Sequence, residues 1–440
     1  MEKLRPIAKR ASEKISEYSR VRLISHNDAD GITAAAVMCH ALLREDIVFH
    51  ASIVSRLDEN VVETVNNSTD DGDLVLFCDM GSGQPELIEK VKNDTLIIDH
   101  HAPVGDTTAH IMVNPHLADI DGAYYMCAST TAYVVATELN PENKELAGLA
   151  IAGAIGDKQL FDRENGLILK EGIEHGSVSI RKGLKIGDGD LAEVLERTPE
   201  PYLDITGEKE KIANFLNILG ISGPIEELDE NQMKKLTSAV ALKLTKTASP
   251  EAIDASIGEV CILNHETIPN VYDMVTLLNC CGKLERGGLA LTACLRDEKA
   301  AEEGWKIAEQ YQQVLMGQIK KAEKKIQKRQ HLRYIQGEDM EATGMIAGVV
   351  IRYIHPDLPF IALNKVDDVV KISGRGTRKL VDNGLDLAVA LREAASGVGG
   401  SGGGHNIASG AAIPPGSEDE FLKALDSIIA KQMGNNADEN

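Results

Sequence analysis

The chain has 440 residues, 43% hydrophobic and 26% charged, so it is too long for one ordinary domain and too apolar for a disordered or fibrous protein. Its net charge of −22 argues against a broad electrostatic grip on nucleic acid, because sequence-independent affinity comes from Lys and Arg neutralising phosphates. A local site that takes one strand end stays open, since divalent metals supply positive charge where side chains do not.

The opening residues lead into a charged amphipathic segment, and no stretch approaches the roughly 18–20 apolar residues of a membrane span. A cytoplasmic protein without a membrane partner is expected. Over residues 1–165, β-branched runs at Val21–Ser25, Val48–Ile53, Leu74–Asp79 and Thr95–Asp99 alternate with helical patterns at Ile32–Arg44, Asp58–Asn66 and Pro85–Val91. Two further helices are expected at Ser129–Leu139 and Lys144–Ile155. The alternation predicts a parallel sheet covered by helices.

Residues 166–335 read as a mostly helical insert that carries no cluster of chemical residues and ends in one long connecting helix, Glu302–Arg333. There Lys320, Lys321, Lys324, Lys325, Lys328, Arg329 and Arg333 gather with only Glu323 among them. Such a stretch is either a solvated face linking two domains or a surface that guides a strand. Residues 336–432 predict a smaller α/β domain with strands at Ile346–Ile354, Phe360–Asn364 and Val369–Ser373, a helix at Asp386–Ala395 and a glycine-rich loop at Ser396–Gly404. Residues 433–440 read as a frayed tail. Cys39, Cys78, Cys127, Cys261, Cys280, Cys281 and Cys294 form no C-x-x-C pair, and several lie in apolar runs. Buried reduced thiols fit better than a disulfide framework or a zinc site.

The chemistry sits where apolar strands end. Ser25-His26-Asn27-Asp28-Ala29-Asp30-Gly31 follows the first strand, and two carboxylates with an imidazole in five positions repel one another unless a cation sits between them. Phe77-Cys78-Asp79-Met80-Gly81 ends a second strand, Ile98-Asp99-His100-His101 a third, and Ile155-Gly156-Asp157 closes an Ala/Gly/Ile-rich helix. Taken singly, each is more simply a helix cap or a strand-end turn. Together they place acids and histidines at one rim of one sheet, where open α/β folds bind ligands. Oxygen and imidazole ligands without thiolate favour Mn²⁺, or else Mg²⁺, over zinc. Two such ions sharing a carboxylate generate hydroxide near neutral pH and stabilise in-line displacement at phosphorus. In the last domain Ser373-Gly374-Arg375-Gly376 and Gly402-Gly403-Gly404-His405 offer backbone N–H groups and a guanidinium to an anion. A flexible linker is the bland reading of those glycines.

Taken in order, H-N-D-A-D-G, C-D-M-G, I-D-H-H and I-G-D resemble the four motifs of the DHH phosphoesterases, and S-G-R-G with G-G-G-H resembles their DHHA1 domain. Within the family the sequence is most similar to archaeal RecJ-like nucleases that associate with the GINS replication complex. The resemblance implies an α/β fold with the active site in a cleft between the DHH and DHHA1 domains. It implies an exonuclease that degrades single-stranded DNA or RNA to mononucleotides with two divalent ions. By that similarity Asp28 and Asp30 each hold one ion, Asp79 bridges both, His26 serves the first site, and His100 and Asp157 complete the second. His101 faces the scissile phosphate, Asp99 orients the neighbouring histidines, and Ser373, Arg375, Gly402, Gly403, Gly404 and His405 hold substrate. Cleavage of short oligonucleotides or cyclic dinucleotides is the rival enzyme reading, and a replication scaffold that has lost the reaction is the rival of another class.

Overall fold

Residues 1–105 and 109–434 are described by the structure, a computed structural model, and most of the expected frayed tail lies outside them. The chain folds into two units, Met1–Arg181 with Glu259–Glu309, and Lys182–Gly258 with Gln310–Asn440.

In the first unit, β1 (Arg20–His26), β2 (Val48–Val54), β3 (Leu74–Cys78), β4 (Asp94–Ile98) and β5 (Ile111–Val113) form one sheet in the order β2-β1-β3-β4-β5. All four pairings are parallel. Helices α1 (Leu4–Ile15), α2 (Ala29–Arg44), α3 (Glu59–Ser68), α4 (Pro85–Ile88), α5 (Ala128–Leu139) and α6 (Ala147–Gly156) cover the sheet. Both of its faces are buried, which is why β3 and β4 read as unbroken apolar runs rather than alternating ones. Leu23, Leu74, Leu76, Leu96 and Ile98 pack into a core with α1, α2, α5 and α6. Ile24, Val75, Phe77 and Ile97 pack into a second core with Val62, Val65 and Ile88 of α3 and α4. Each such aliphatic side chain taken fully out of water contributes about 1.5–3 kcal/mol. The strand order reverses direction between β1 and β3, and ligands of such sheets bind at the carboxyl ends of the strands beside that point.

The middle of the chain is divided differently from the expected single insert. Helices Val271–Lys283 and Gly287–Cys294 belong to the first unit, where Leu277, Leu278, Cys281, Ala290 and Cys294 join the core of α2. Residues 182–258 belong to the second unit. The strands β6 (Val178–Leu184) and β7 (Ile257–Leu263) pair as a separate ribbon.

The second unit carries a mixed sheet of β8 (Gln327–Lys328), β9 (Arg333–Glu338), β10 (Phe360–Val366), β11 (Val369–Arg375), β12 (Ser401–Gly404) and β13 (Ala408–Ile413), ordered β12-β13-β11-β10-β9-β8. Three expectations fail here. The segment Ile346–Ile354 is helical, Thr343–Val349 continuing into a wider turn over Val350–Ile354. Its β-branched residues recur at helical spacing, with Ile346, Val349, Val350 and Tyr353 buried, and burial outweighs their strand propensity. The long helix runs Glu298–Glu323 and stops well before Arg333, which lies in β9. The glycine-rich stretch is a loop only over residues 398–400: Ser396 and Gly397 end the helix Leu387–Gly397, and Ser401–Gly404 pairs with β13 as an edge strand. All seven cysteines are free and buried. Among the described residues, no helix is long and apolar enough to cross a membrane.

Candidate metal centre

Every acid and histidine read from the four motifs lies at the carboxyl rim of the first sheet or on a helix facing it, and all but Asp99 converge. His26, Asp28 and Asp79 bring one ligand atom each within 4.8 Å of one another; so do Asp30, His100 and Asp157, and so do Asp79, His100 and His101. Asp79 and His100 each belong to two of these groups.

Local folding fixes each donor. Asp28 caps α2, its Oδ1 accepting the Gly31 N–H at 2.9 Å, while Oδ2 faces His26 Nδ1 at 2.9 Å. The turn is tight: a Cβ on Gly31 would stand 2.5 Å from the His26 carbonyl oxygen. Asp79 follows β3 in the left-handed region, at φ 57°, a conformation that Asp tolerates better than most side chains. Its N–H continues the ladder to the Ile98 carbonyl at 2.9 Å. Oδ2 lies 3.4 Å from His26 Nδ1, and Oδ1 lies 3.4 Å from His100 Nε2. Oδ1 is buried and makes no hydrogen bond of normal geometry. A buried polar atom left this way costs about 1–3 kcal/mol, more when charged, so a missing partner is indicated.

His100 donates Nδ1–H to the Gly122 carbonyl at 2.7 Å, which leaves the Nε2 lone pair for a ligand. That nitrogen faces Asp79 at 3.4 Å, Asp157 at 3.5 Å and Asp30 at 3.8 Å. Asp99, also buried, acts through its neighbour. It accepts the His101 side chain at 2.8 Å and the backbone N–H groups of Ser82 and His100 at 3.0 and 2.7 Å. Burial works against its charge, but these bonds prevail and hold it down to about 2. The His101 ring, with its side chain 59% exposed, is thereby aimed, and among the described residues its other nitrogen has no hydrogen-bond partner.

Four carboxylates in this space crowd one another. Burial first, and then the charge of Asp30, push the Asp157 carboxyl upward, and burial does the same to Asp79. Hydrogen bonding to Asp28 holds a proton on His26 up to about 10, and facing carboxylates overcome burial to hold one on His100 up to about 11. Protons retained by acids and imidazoles alike mark an excess of negative charge that divalent cations would satisfy, releasing those protons. The donor set therefore fits a pair of divalent ions.

Several partners carry no signal in the motifs. Asp30, only 1% exposed, accepts the N–H groups of Ala128 and Ser129, the first residues of α5, at 2.7 and 2.9 Å. It is thus a helix cap as well as a candidate ligand, each oxygen keeping one lone pair. Gly153 makes that packing feasible, since a Cβ there would stand 2.7 Å from Asp30 Oδ1 and 2.1 Å from Ser129 Oγ. Gly153→Ala is expected to cost about 1–3 kcal/mol of stability by overpacking and to lower activity. Denaturant unfolding reads the first effect, and an unmoved midpoint contradicts so close a fit. The loop before α2 is held from the middle of the chain: Asn27 Nδ2 donates to the Gly282 carbonyl at 3.0 Å, and Asn279 Oδ1 accepts the Ala29 N–H at 3.0 Å.

The candidate substrate residues of the second unit lie together at one end of its sheet. Register pairs Ser373 with Gly410 and Gly410 with Gly403, while Arg375 pairs with Ala408. Ser373 and Arg375 point to one face, and both flank Gly344, where a Cβ would lie 3.8 Å from Ser373 Oγ and 3.1 Å from Arg375 Nη2. Arg375 is half-buried, burial lowers its pKa, and among the described residues it has no acidic partner. Gly402, Gly403 and Gly404 lie in β12, so part of their backbone is committed to β13, and exposed His405 gives its N–H to the Ala408 carbonyl at 2.9 Å.

The N-terminal domain of the DHH family matches residues 20–154, and the DHHA1 domain matches residues 330–431. An uncharacterized protein of Methanocaldococcus jannaschii is 32% identical over 446 residues, covering 98% of this chain and 99% of that protein. The single-stranded-DNA-specific exonuclease RecJ of Thermus thermophilus is 26% identical over 298 residues, which take in 62% of this chain and 44% of RecJ. The crystal structure of that organism's RecJ with Mn²⁺ gives a TM-score of 0.61 at 16% identity, over 98% of this chain and 55% of that one. CDC45 from Entamoeba histolytica gives 0.63 at 13% identity, over 96% of this chain and 97% of that one. The two structural likenesses show the fold alone, and the chain spans less than half of the RecJ sequence it matches. With both domain matches and a relative alike over nearly its whole length, the chain belongs to the DHH family, as a RecJ-like phosphoesterase with a DHHA1 domain.

Proposed function

We propose that the chain is a two-metal phosphodiesterase, using Mn²⁺ or alternatively Mg²⁺, that removes mononucleotides from the end of single-stranded DNA or RNA. The observation that carries this reading is the buried, unbonded Oδ1 of Asp79 facing His100, while its Oδ2 faces His26. One carboxylate reaching two ligand groups is the arrangement that two-metal phosphoryl hydrolysis uses. His26 and Asp28 would hold one ion with Asp79, and Asp30, His100 and Asp157 the other. A bound pair supplies Lewis acidity toward the phosphate oxygens and lowers the pKa of water. Asp99 keeps a proton on His101 Nδ1 and turns the open side of that ring outward, where it can meet a phosphate oxygen. Arg375 and Ser373, on one face of β11, would hold a substrate phosphate, Arg375 as a two-pronged donor.

Two features bear on substrate length. The net charge of −22 favours short oligonucleotides. The lysine-rich stretch favours long strands, and its bland reading is only partly supported. Lys320, Arg329 and Arg333 pair with Glu208, Asp419 and Asp357, but among the described residues Lys321, Lys324, Lys325 and Lys328 make no ion pair. Replacing these four by Gln is expected to flatten the salt dependence of long-strand degradation, each lost phosphate contact removing about 0.7 from the slope of log affinity against log salt. Dinucleotide turnover should not change. Equal slopes in the variant and the parent would contradict the strand-guiding role. An end-labelled long strand set beside a dinucleotide tests the main proposal, which fails if only the dinucleotide is cleaved. A scaffold without activity is the reading of a different class. It is disfavoured because every motif acid is present and the six candidate ligands converge.

A further inference from the structure

The second ligand group contains an acid that its own helix does not favour. Asp157 is the C-cap of α6, where the helix dipole repels a carboxylate, and its side chain is 30% exposed. Something must hold it toward His100. Among the described residues, the side-chain amide that reaches it is that of Gln159, two residues on and only 6% exposed. Its Nε2 donates to the Gly122 carbonyl at 2.7 Å and reaches Asp157 Oδ2 at 3.5 Å. The Gly122 carbonyl is the same atom that takes the Nδ1–H of His100. Asn165, fully buried, fixes the orientation of this amide from behind, donating to Gln159 Oε1 at 2.9 Å and to the Leu160 carbonyl at 3.1 Å. Its own N–H goes to the Tyr125 carbonyl at 3.1 Å, tying the segment after Asp157 to the loop that bears Gly122. That loop can approach only because residue 122 is glycine: a Cβ there would stand 2.1 Å from the His100 carbonyl oxygen.

We propose that Gln159, backed by Asn165, is a positioning residue for one of the two ion sites, locking Asp157 and His100 to a single shared carbonyl. This rests on the two-metal reading and deepens it. The group of His26, Asp28 and Asp79 receives no hydrogen bond from Gln159, so the two sites should respond separately to its loss. Removing such an outer hydrogen bond to a ligand typically weakens metal affinity about 10- to 100-fold.

The test titrates metal-free protein with Mn²⁺ and reads free Mn²⁺ by its electron paramagnetic resonance signal. The parent is expected to bind two ions. Gln159→Met, similar in length but without a donor, is expected to bind one ion as the parent does and the other about 10- to 100-fold more weakly. Gln159→Glu keeps the shape and, once ionised, cannot donate to Gly122; it gives the same split and serves as the reading if the Met variant does not fold. Two unchanged binding steps in a folded variant would overturn the inference while leaving the two-metal reading intact. Equal weakening of both steps would also overturn it, because it would mark a general structural role. A parent that binds no Mn²⁺ would sink the two-metal reading itself.

Discussion

Asp79→Asn and Asp79→Ala are expected to lose about 10³-fold or more of the phosphodiesterase rate, a transition-state loss of about 4 kcal/mol. The two oxygens of Asp79 face different ligand groups, so its loss should loosen both ions. Stability should move the other way for the Asn variant. Asn tolerates the left-handed backbone at φ 57°, keeps the side-chain shape, and removes one of four crowded carboxylates. Its melting temperature in chelator should equal or exceed that of the parent. Ala at that φ is strained by roughly 1–2 kcal/mol and should melt lower. Steady-state assays beside thermal melts separate the two effects. Parental turnover in either variant, with metal still in both sites, would refute the assignment.

Arg375→Ala is the second large effect, expected to lower kcat/KM by about 10- to 100-fold, as befits a lost charge-assisted hydrogen bond worth about 1.5–3 kcal/mol. The loss should fall mainly on KM, since Arg375 belongs to the second unit and none of the metal-ligand groups includes it. Arg375→Lys keeps the charge but not the forked geometry, and should recover only part of the loss. Steady-state kinetics on a dinucleotide and on a long strand check this, and an unchanged KM in the Ala variant would exclude Arg375 from substrate binding. The physical ground is that the Arg375 guanidinium is half-buried and, among the described residues, has no acidic partner, which would leave its charge for an anion from outside the protein.

The sequence was most legible where chemistry and periodicity coincide. Apolar runs ending in Asp79 and Asp99 mark both the strands and the rim, because a parallel sheet buried on both faces must expose its polar residues where the strands stop. The helical state of Ile346–Ile354 is not legible, because a β-branched run has the same composition in a buried helix and in a strand. The pairing of Gly402 to Gly404 is equally hidden, because glycine carries no side-chain pattern to reveal it. The supporting residues were invisible for another reason. Asn27 meets Gly282 across 255 positions and Asp30 meets Ser129 across 99, and no local spacing encodes such partners. The contribution of the middle region, Asn279 and the Gly282 carbonyl, carries no motif, because amides and backbone carbonyls occur throughout helices.

Crystals soaked in Mn²⁺ and measured at the manganese absorption edge ask the central question without any assay of turnover. The account predicts two anomalous peaks, about 3.5–4 Å apart, one beside His26 and Asp28 and the other beside Asp30, His100 and Asp157, with Asp79 reaching both. A map without peaks there, at saturating Mn²⁺ and with the side chains ordered, would contradict it.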